Sequence, residues 1–157
     1  MKKTLQLISA ILLCQLAGII GSIFTAPAIP IWYATLQKPS FNPPSWLFGP
    51  VWITLYALMG IALFLVWQKR KENKLVKSAV ILFLVHLILN ATWSVIFFGL
   101  QNPFIAFIDI LALWSMIIIL TYQFSKIKKE AAYLLLPYLA WVSFAMVLNF
   151  AIWYLNN

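Results

Sequence analysis

Residues 104–124 read FIAFIDILALWSMIIILTYQF, a continuous apolar run with one charged side chain, Asp109. At about 1.5 Å of helical rise per residue, a run of this length crosses the roughly 30 Å hydrocarbon core of a bilayer. A barrel strand would instead alternate apolar and polar residues over about ten positions. Four further runs of the same kind, at about 5–26, 47–67, 79–99 and 131–155, predict an all-α integral membrane protein. The expected architecture is one five-helix transmembrane unit over residues 1–157. Composition agrees: 64% of the 157 residues are hydrophobic and 9% charged, against about 45–50% and 25% in soluble domains. Mean hydropathy is +0.96. Cys14 is the single cysteine, which excludes a disulfide scaffold.

The net charge of +8 is distributed by loop. Lys2 and Lys3 precede helix 1. Lys69, Arg70, Lys71, Lys74 and Lys77 lie between helices 2 and 3, and Lys126, Lys128 and Lys129 between helices 4 and 5. These all belong to one end of the bundle, and the other end has only Lys38. The positive-inside rule then puts the N-terminus in the cytoplasm and the C-terminus outside, as for a bacterial cytoplasmic membrane. The basic loops are thereby accounted for as orienting charge with an affinity for anionic lipid, and no nucleic-acid partner is expected. Lys2 and Lys3 followed by an apolar stretch and Ala26-Pro27-Ala28 imitate a signal peptide. The stretch exceeds the usual h-region of about 7–15 residues, so it is read as helix 1. Ala10, Cys14, Ala17, Gly18, Gly21 and Ser22 form a small-residue stripe suited to close packing on another helix or a second subunit.

The segment 27–46 is long for a bundle connection and holds Pro27, Pro30, Pro39, Pro43 and Pro44 with Trp32, Tyr33, Phe41 and Trp46. Proline restricts both itself and the residue before it, so a stiff irregular loop is expected. It reads as an aromatic lid over a cavity, or as an interfacial aromatic belt. Ser45 is the expected N-cap of helix 2.

Within the spans, His86, Asn90, Trp93, Ser94 and Phe97 fall on one stripe of helix 3. His86 has no second histidine, cysteine or carboxylate near it in the sequence, so no metal site is expected. Asp109, the acidic residue inside a span, is either functional or a lock between helices. Helix 5 carries Pro137 near its start, then Trp141, Ala145, Leu148 and Asn149, with Ala145 small enough to leave room for a planar molecule.

Several of these stretches, taken in order, resemble one family. They are Trp32-Tyr-Ala-Thr-Leu-Gln-Lys-Pro39, Pro43-Pro44, Phe48-Gly-Pro-Val-Trp52, Leu55-Tyr56, Met59-Gly60, Asn90-Ala-Thr-Trp93, Phe97-Phe-Gly99, Asp109, Leu136-Pro-Tyr-Leu-Ala-Trp141 and Asn149. The pattern is similar to that of the tryptophan-rich sensory protein/translocator protein (TspO/MBR) family, also called the peripheral-type benzodiazepine receptor. The resemblance implies a five-helix bundle, often a homodimer, with a pocket capped by the helix 1–2 loop. It implies a receptor or sensor for porphyrins such as protoporphyrin IX and heme-like tetrapyrroles, and for benzodiazepine-site ligands, with no cofactor required. The alternatives are light- and oxygen-dependent porphyrin degradation or carriage of porphyrin or lipid. The degradation pattern places its two tryptophans on Trp52 and Trp141. Ligand positions fall on Trp32, Tyr33, Asn90 and Trp93, to which the stripes and lid add Pro43, Pro44, His86, Phe97, Ala145 and Leu148. The helix 5 sterol pattern of animal members is incomplete: Phe150 stands where they have tyrosine, and no basic residue follows Tyr154.

Overall fold

The computed structural model describes residues 2–157. Among the described residues six helices follow in order: α1 (Lys2–Ala28), α2 (Ser45–Gln68), α3 (Leu75–Ser94), α4 (Pro103–Ile127), α5 (Lys129–Tyr133) and α6 (Leu136–Leu155). α1 and α3 each run on into a single π-helical turn, Ile29–Tyr33 and Val95–Gly99. With those turns, and with α5 and α6 in line, five helical segments are long and apolar enough to cross a membrane. The chain is an integral membrane protein.

Two expectations are corrected, the end of helix 1 and the cap of helix 2. The first helix does not stop at residue 26 but continues through Pro27 and Pro30, which shortens the irregular lid to residues 36–44. Pro30 sits in the first positions of the π-helical turn. Its missing N–H therefore falls where the backbone ladder changes register, and costs less there than in mid-helix. The last span breaks ahead of Pro137 into α5 and α6, with Pro137 in the first turn of α6, where no backbone donor is required. Ser45 is likewise not the cap of α2. Pro44 is, in an extended conformation (φ −58°, ψ 139°), and its carbonyl accepts the N–H of Leu47 at 3.0 Å. Between α3 and α4, Gln101 takes a left-handed φ of 52°. Asn102 Oδ1 then caps α4 by accepting the N–H of Ile105 at 3.0 Å.

The small stripe of α1 packs inside the monomer. Ala10, Cys14, Ala17 and Gly21 are buried. A Cβ built on Gly60 of α2 would lie 2.5 Å from Cα of Ile11. Only a residue without a side chain permits that approach, and in lipid such contact replaces the missing hydrophobic drive between helices. The core continues through Met59, Ala62, Val66, Phe83, Ile117 and Phe124, all fully enclosed. Cys14 is enclosed in the same layer. In the folded protein it should stay unmodified by a water-soluble maleimide and react fully once unfolded in hot SDS. Rapid labelling in mild detergent would contradict this packing.

Bonds between side chains fasten the other helices. Trp114 Nε1 donates to Ser143 Oγ at 2.8 Å between α4 and α6. Thr92 Oγ1 donates to Asp109 Oδ1 at 3.2 Å between α3 and α4. The half-buried carboxylate of Asp109 thus ties two helices, while its Oδ2 has no hydrogen-bond partner.

Candidate functional site: an aromatic cavity beneath the lid

The bundle contains a cavity of about 570 Å³ at the end that carries the lid. Four helices, α1, α2, α3 and α6, each present one face to it. On α2 the wall is Phe48, Gly49, Trp52, Ile53 and Tyr56, a set with the three- and four-residue steps of one helical stripe. α3 and its π-helical turn contribute Asn90, Trp93, Ser94, Phe97 and Phe98, and α6 contributes Trp141, Ala145, Leu148, Asn149 and Ile152. The side toward α1 is lined by Gln15, Gly18, Ile19, Gly21, Ser22 and Thr25, with Tyr33 at the top. The wall has no Asp, Glu, Lys, Arg or His side chain among the described residues.

A hydrogen-bonded floor holds this wall in register. Tyr56 donates its hydroxyl to Asn90 Oδ1, and Asn90 Nδ2 donates to the Tyr138 hydroxyl at 2.9 Å. Tyr56, Asn90 and Tyr138 are all buried, so these bonds offset desolvation that would otherwise be uncompensated. Trp52 stacks on Tyr56 with centroids 5.4 Å apart and meets Tyr138 edge-on at 6.2 Å. Higher up, Trp93 stacks on Phe97 at 5.0 Å, and its Nε1 donates to Asn149 Oδ1 at 2.9 Å. Asn149 Nδ2 passes the connection to the carbonyl of Pro103 at 2.8 Å. Trp141 packs against Phe48 and Phe144, with centroids 6.1 and 5.6 Å away. Its buried Nε1 has no hydrogen-bond partner. It is therefore an indole donor beside an aromatic cavity, held in place by packing alone.

The lid is pinned rather than loose. The Asn156 side chain accepts from the Gln37 N–H and donates to the Gln37 carbonyl, both at 2.9 Å. Tyr33 donates its hydroxyl to Asn42 Oδ1 at 2.7 Å. Lys38 Nζ lies 4.9 Å above the Tyr33 ring centre and donates to the Leu36 carbonyl at 2.9 Å.

Of the residues expected at a ligand site, the structure brings Tyr33, Trp52, Asn90, Trp93, Phe97, Trp141, Ala145 and Leu148 to the cavity wall. It places four elsewhere. Trp32 stands behind the wall, edge-on to Phe97 at 5.5 Å and Phe98 at 6.4 Å. Pro43 and Pro44 shape the entry to α2 without lining the cavity. His86 lies one turn below Asn90, fully buried, with Nδ1 2.6 Å from the Phe83 carbonyl and its ring edge-on to Tyr138. The helical stripe that grouped it with Asn90 was real, but the cavity ends a turn above it. Asp109 belongs to the α3–α4 contact and not to the wall.

Sequence reasoning missed Tyr56, Asn149, Gly18 and Ser22 as wall residues. Tyr56 follows Trp52 by four positions and Asn149 follows Ala145 by four, so the periodicity contained the signal. Gly18 and Ser22 were read for packing alone, though they share a face with Gln15 and Ile19.

Comparison with known proteins bears on this geometry. Residues 10–155 match the model of the TspO/MBR family. A "Tryptophan-rich protein TspO" of Archaeoglobus fulgidus is 46% identical over 152 residues, 97% of this chain and 97% of its own. A protein of the same name from Chlorobaculum tepidum is 45% identical, covering 99% of this chain and 98% of its own. The human "Translocator protein" is 39% identical over 91% of this chain and 85% of its own.

Proposed function

Since the chain belongs to the TspO/MBR family, we propose that it is a membrane receptor or sensor that binds porphyrins and similar flat hydrophobic molecules in the cavity beneath the lid. Protoporphyrin IX, heme-like tetrapyrroles and benzodiazepine-site ligands are the classes concerned. The observation that carries this reading is the wall itself: about 570 Å³ surrounded by Trp52, Trp93, Trp141, Tyr33 and Phe97, with Asn90 at its floor. That volume falls within the roughly 300–1,000 Å³ of small-molecule pockets. Each aromatic pair formed with a ligand ring adds about 0.5–1.5 kcal/mol beyond area burial. Without a cation on the wall, the carboxylates of a porphyrin stay at the edge of the cavity, toward water and headgroups. By the loop charges the N-terminus is cytoplasmic, which puts the lid and cavity at the outer side of a bacterial cytoplasmic membrane. A homodimer would use faces other than the α1 stripe, which is already spent on α2, α3 and the cavity.

The test is quenching of intrinsic tryptophan fluorescence by protoporphyrin IX in the dark, in detergent. Saturable quenching is expected, with Kd raised about tenfold or more in Trp141→Ala, since the substitution removes an aromatic contact together with its buried area. Linear quenching of equal slope in both proteins would mean micellar partition and would defeat the proposal.

One observation favours a second reading. Trp52 and Trp141 both border the cavity, within reach of a photoexcited tetrapyrrole, as a tryptophan-dependent degradation would need. For a receptor, the Trp52→Phe/Trp141→Phe protein and the wild type should bleach illuminated, aerated porphyrin at equal rates. Faster bleaching by the wild type, at unchanged dark affinity, would establish the enzyme instead.

A further inference from the structure

We infer that the cavity is loaded sideways from the bilayer, through a gap between α1 and α2 at the lid end, by ligand already dissolved in the membrane. The inference rests on the ligand-binding reading above and adds the route.

The path of α1 defines the gap. Near the basic end α1 and α2 touch backbone to backbone, a Cβ on Gly60 lying 2.5 Å from Ile11 Cα. Further along, a Cβ on Gly18 would lie 2.5 Å from the Tyr56 ring, so the contact has passed to a side chain. Beyond that point α1 leans on α3 instead. A Cβ on Gly21 would lie 2.9 Å from Ser94 Oγ, and one on Gly99 2.8 Å from the Phe24 ring. Gly49, on the facing part of α2, has nothing within 4 Å of its Cβ position. The two helices therefore form a wedge, closed at Gly60 and open at Gly49, and the cavity lies inside it. Gln15 Nε2 donates to the Ile53 carbonyl at 2.9 Å, bridging the helices along the lower edge of the opening.

The rim belongs to two environments. Ile19, Trp46 and Ile53 line the cavity and are also 55%, 72% and 62% exposed. Large apolar side chains there face hydrocarbon in a membrane, so lipid and cavity are separated by little more than a side chain. On the water side the lid is tied down by the pair of hydrogen bonds between Gln37 and Asn156, the Tyr33–Asn42 hydrogen bond and the packing of Phe41 on Phe144. A wall free of Asp, Glu, Lys, Arg and His side chains suits the uncharged body of a molecule that partitions into lipid.

The experiment is stopped-flow tryptophan quenching with the full chain in vesicles and protoporphyrin IX delivered in the bilayer. Gly49→Phe plugs the rim and should slow association and dissociation together, by about tenfold, as for a sterically gated site. Trp46→Ala thins the rim and should speed both. Asn156→Ala loosens the lid and should leave both rates unchanged. If Asn156→Ala speeds exchange while Gly49→Phe and Trp46→Ala leave it unchanged, entry is under the lid and the sideways route is wrong. Absence of saturable quenching in the wild type would instead overturn the ligand-binding reading itself.

Discussion

Gly60→Leu should yield a protein that does not hold its fold in mild detergent. A Cβ at this position would lie 2.5 Å from Cα and 2.8 Å from N of Ile11, and 3.0 Å from the carbonyl oxygen of Ala10. All three atoms are backbone, so no rotamer relieves the clash and α1 must move away from α2. Overpacking of a rigid site costs about 1–3 kcal/mol and sometimes more. Here the displacement also unpacks Cys14, Met59 and Ala62, which are fully buried. Gly60→Ala should already lower the melting temperature, and the leucine variant should elute as aggregate in size-exclusion chromatography. A leucine variant that melts within about 2 °C of wild type would mean the helices do not meet as described.

Asn90→Leu should produce the largest loss among the polar residues, and the loss should be recoverable. Asn90 accepts from Tyr56 and donates to Tyr138 in a buried layer. Leucine leaves two hydroxyls without that partner, at about 1–3 kcal/mol for each buried group left unsatisfied. Measurements in a membrane bundle have tended toward the lower part of such ranges. Adding Tyr56→Phe and Tyr138→Phe removes the stranded hydroxyls, so the triple variant should regain most of the stability in SDS-unfolding titrations. Equal stability of Asn90→Leu and wild type would show that the network contributes nothing. Protoporphyrin affinity should fall in Asn90→Leu, since Trp52 rests on Tyr56 and Tyr138.

The five spans were legible because hydrocarbon imposes a simple demand: about twenty residues of apolar helix, with the cations left at the ends. Their ends were less legible for a local reason. Pro27 and Pro30 argue for a loop by the usual rule, yet the chain absorbs Pro30 in a π-helical turn and keeps Tyr33 on a helix that faces the cavity. The stripes of α3 and α6 placed Asn90, Trp93, Trp141 and Ala145 on common faces. Where along a stripe a cavity ends is a tertiary fact, however. His86 has the right phase and the wrong height, since Phe83 and Tyr138 close around it. Trp32 and Tyr33 are neighbours in sequence, but the helix points one behind the wall and the other into it. Gly18 and Gly21 read as packing residues because small side chains serve close approach and open space alike.

The uncharged wall has a bioenergetic consequence. Carrying one elementary charge across a membrane potential of 100 mV involves about 2.3 kcal/mol of work. A cavity bordered by Asn90, Asn149, Gln15, serines, a threonine and aromatic rings offers no carboxylate, histidine or cationic side chain on which that work could act. Asp109, the acid within the spans, is engaged with Thr92 away from the wall. For a ligand without net charge, occupancy of the proposed site would follow the ligand's chemical potential in the membrane, with no carboxylate or cation on the wall to couple it to voltage or a proton gradient. On the proposed reading, the cavity would serve as a gauge of how much such ligand the membrane holds.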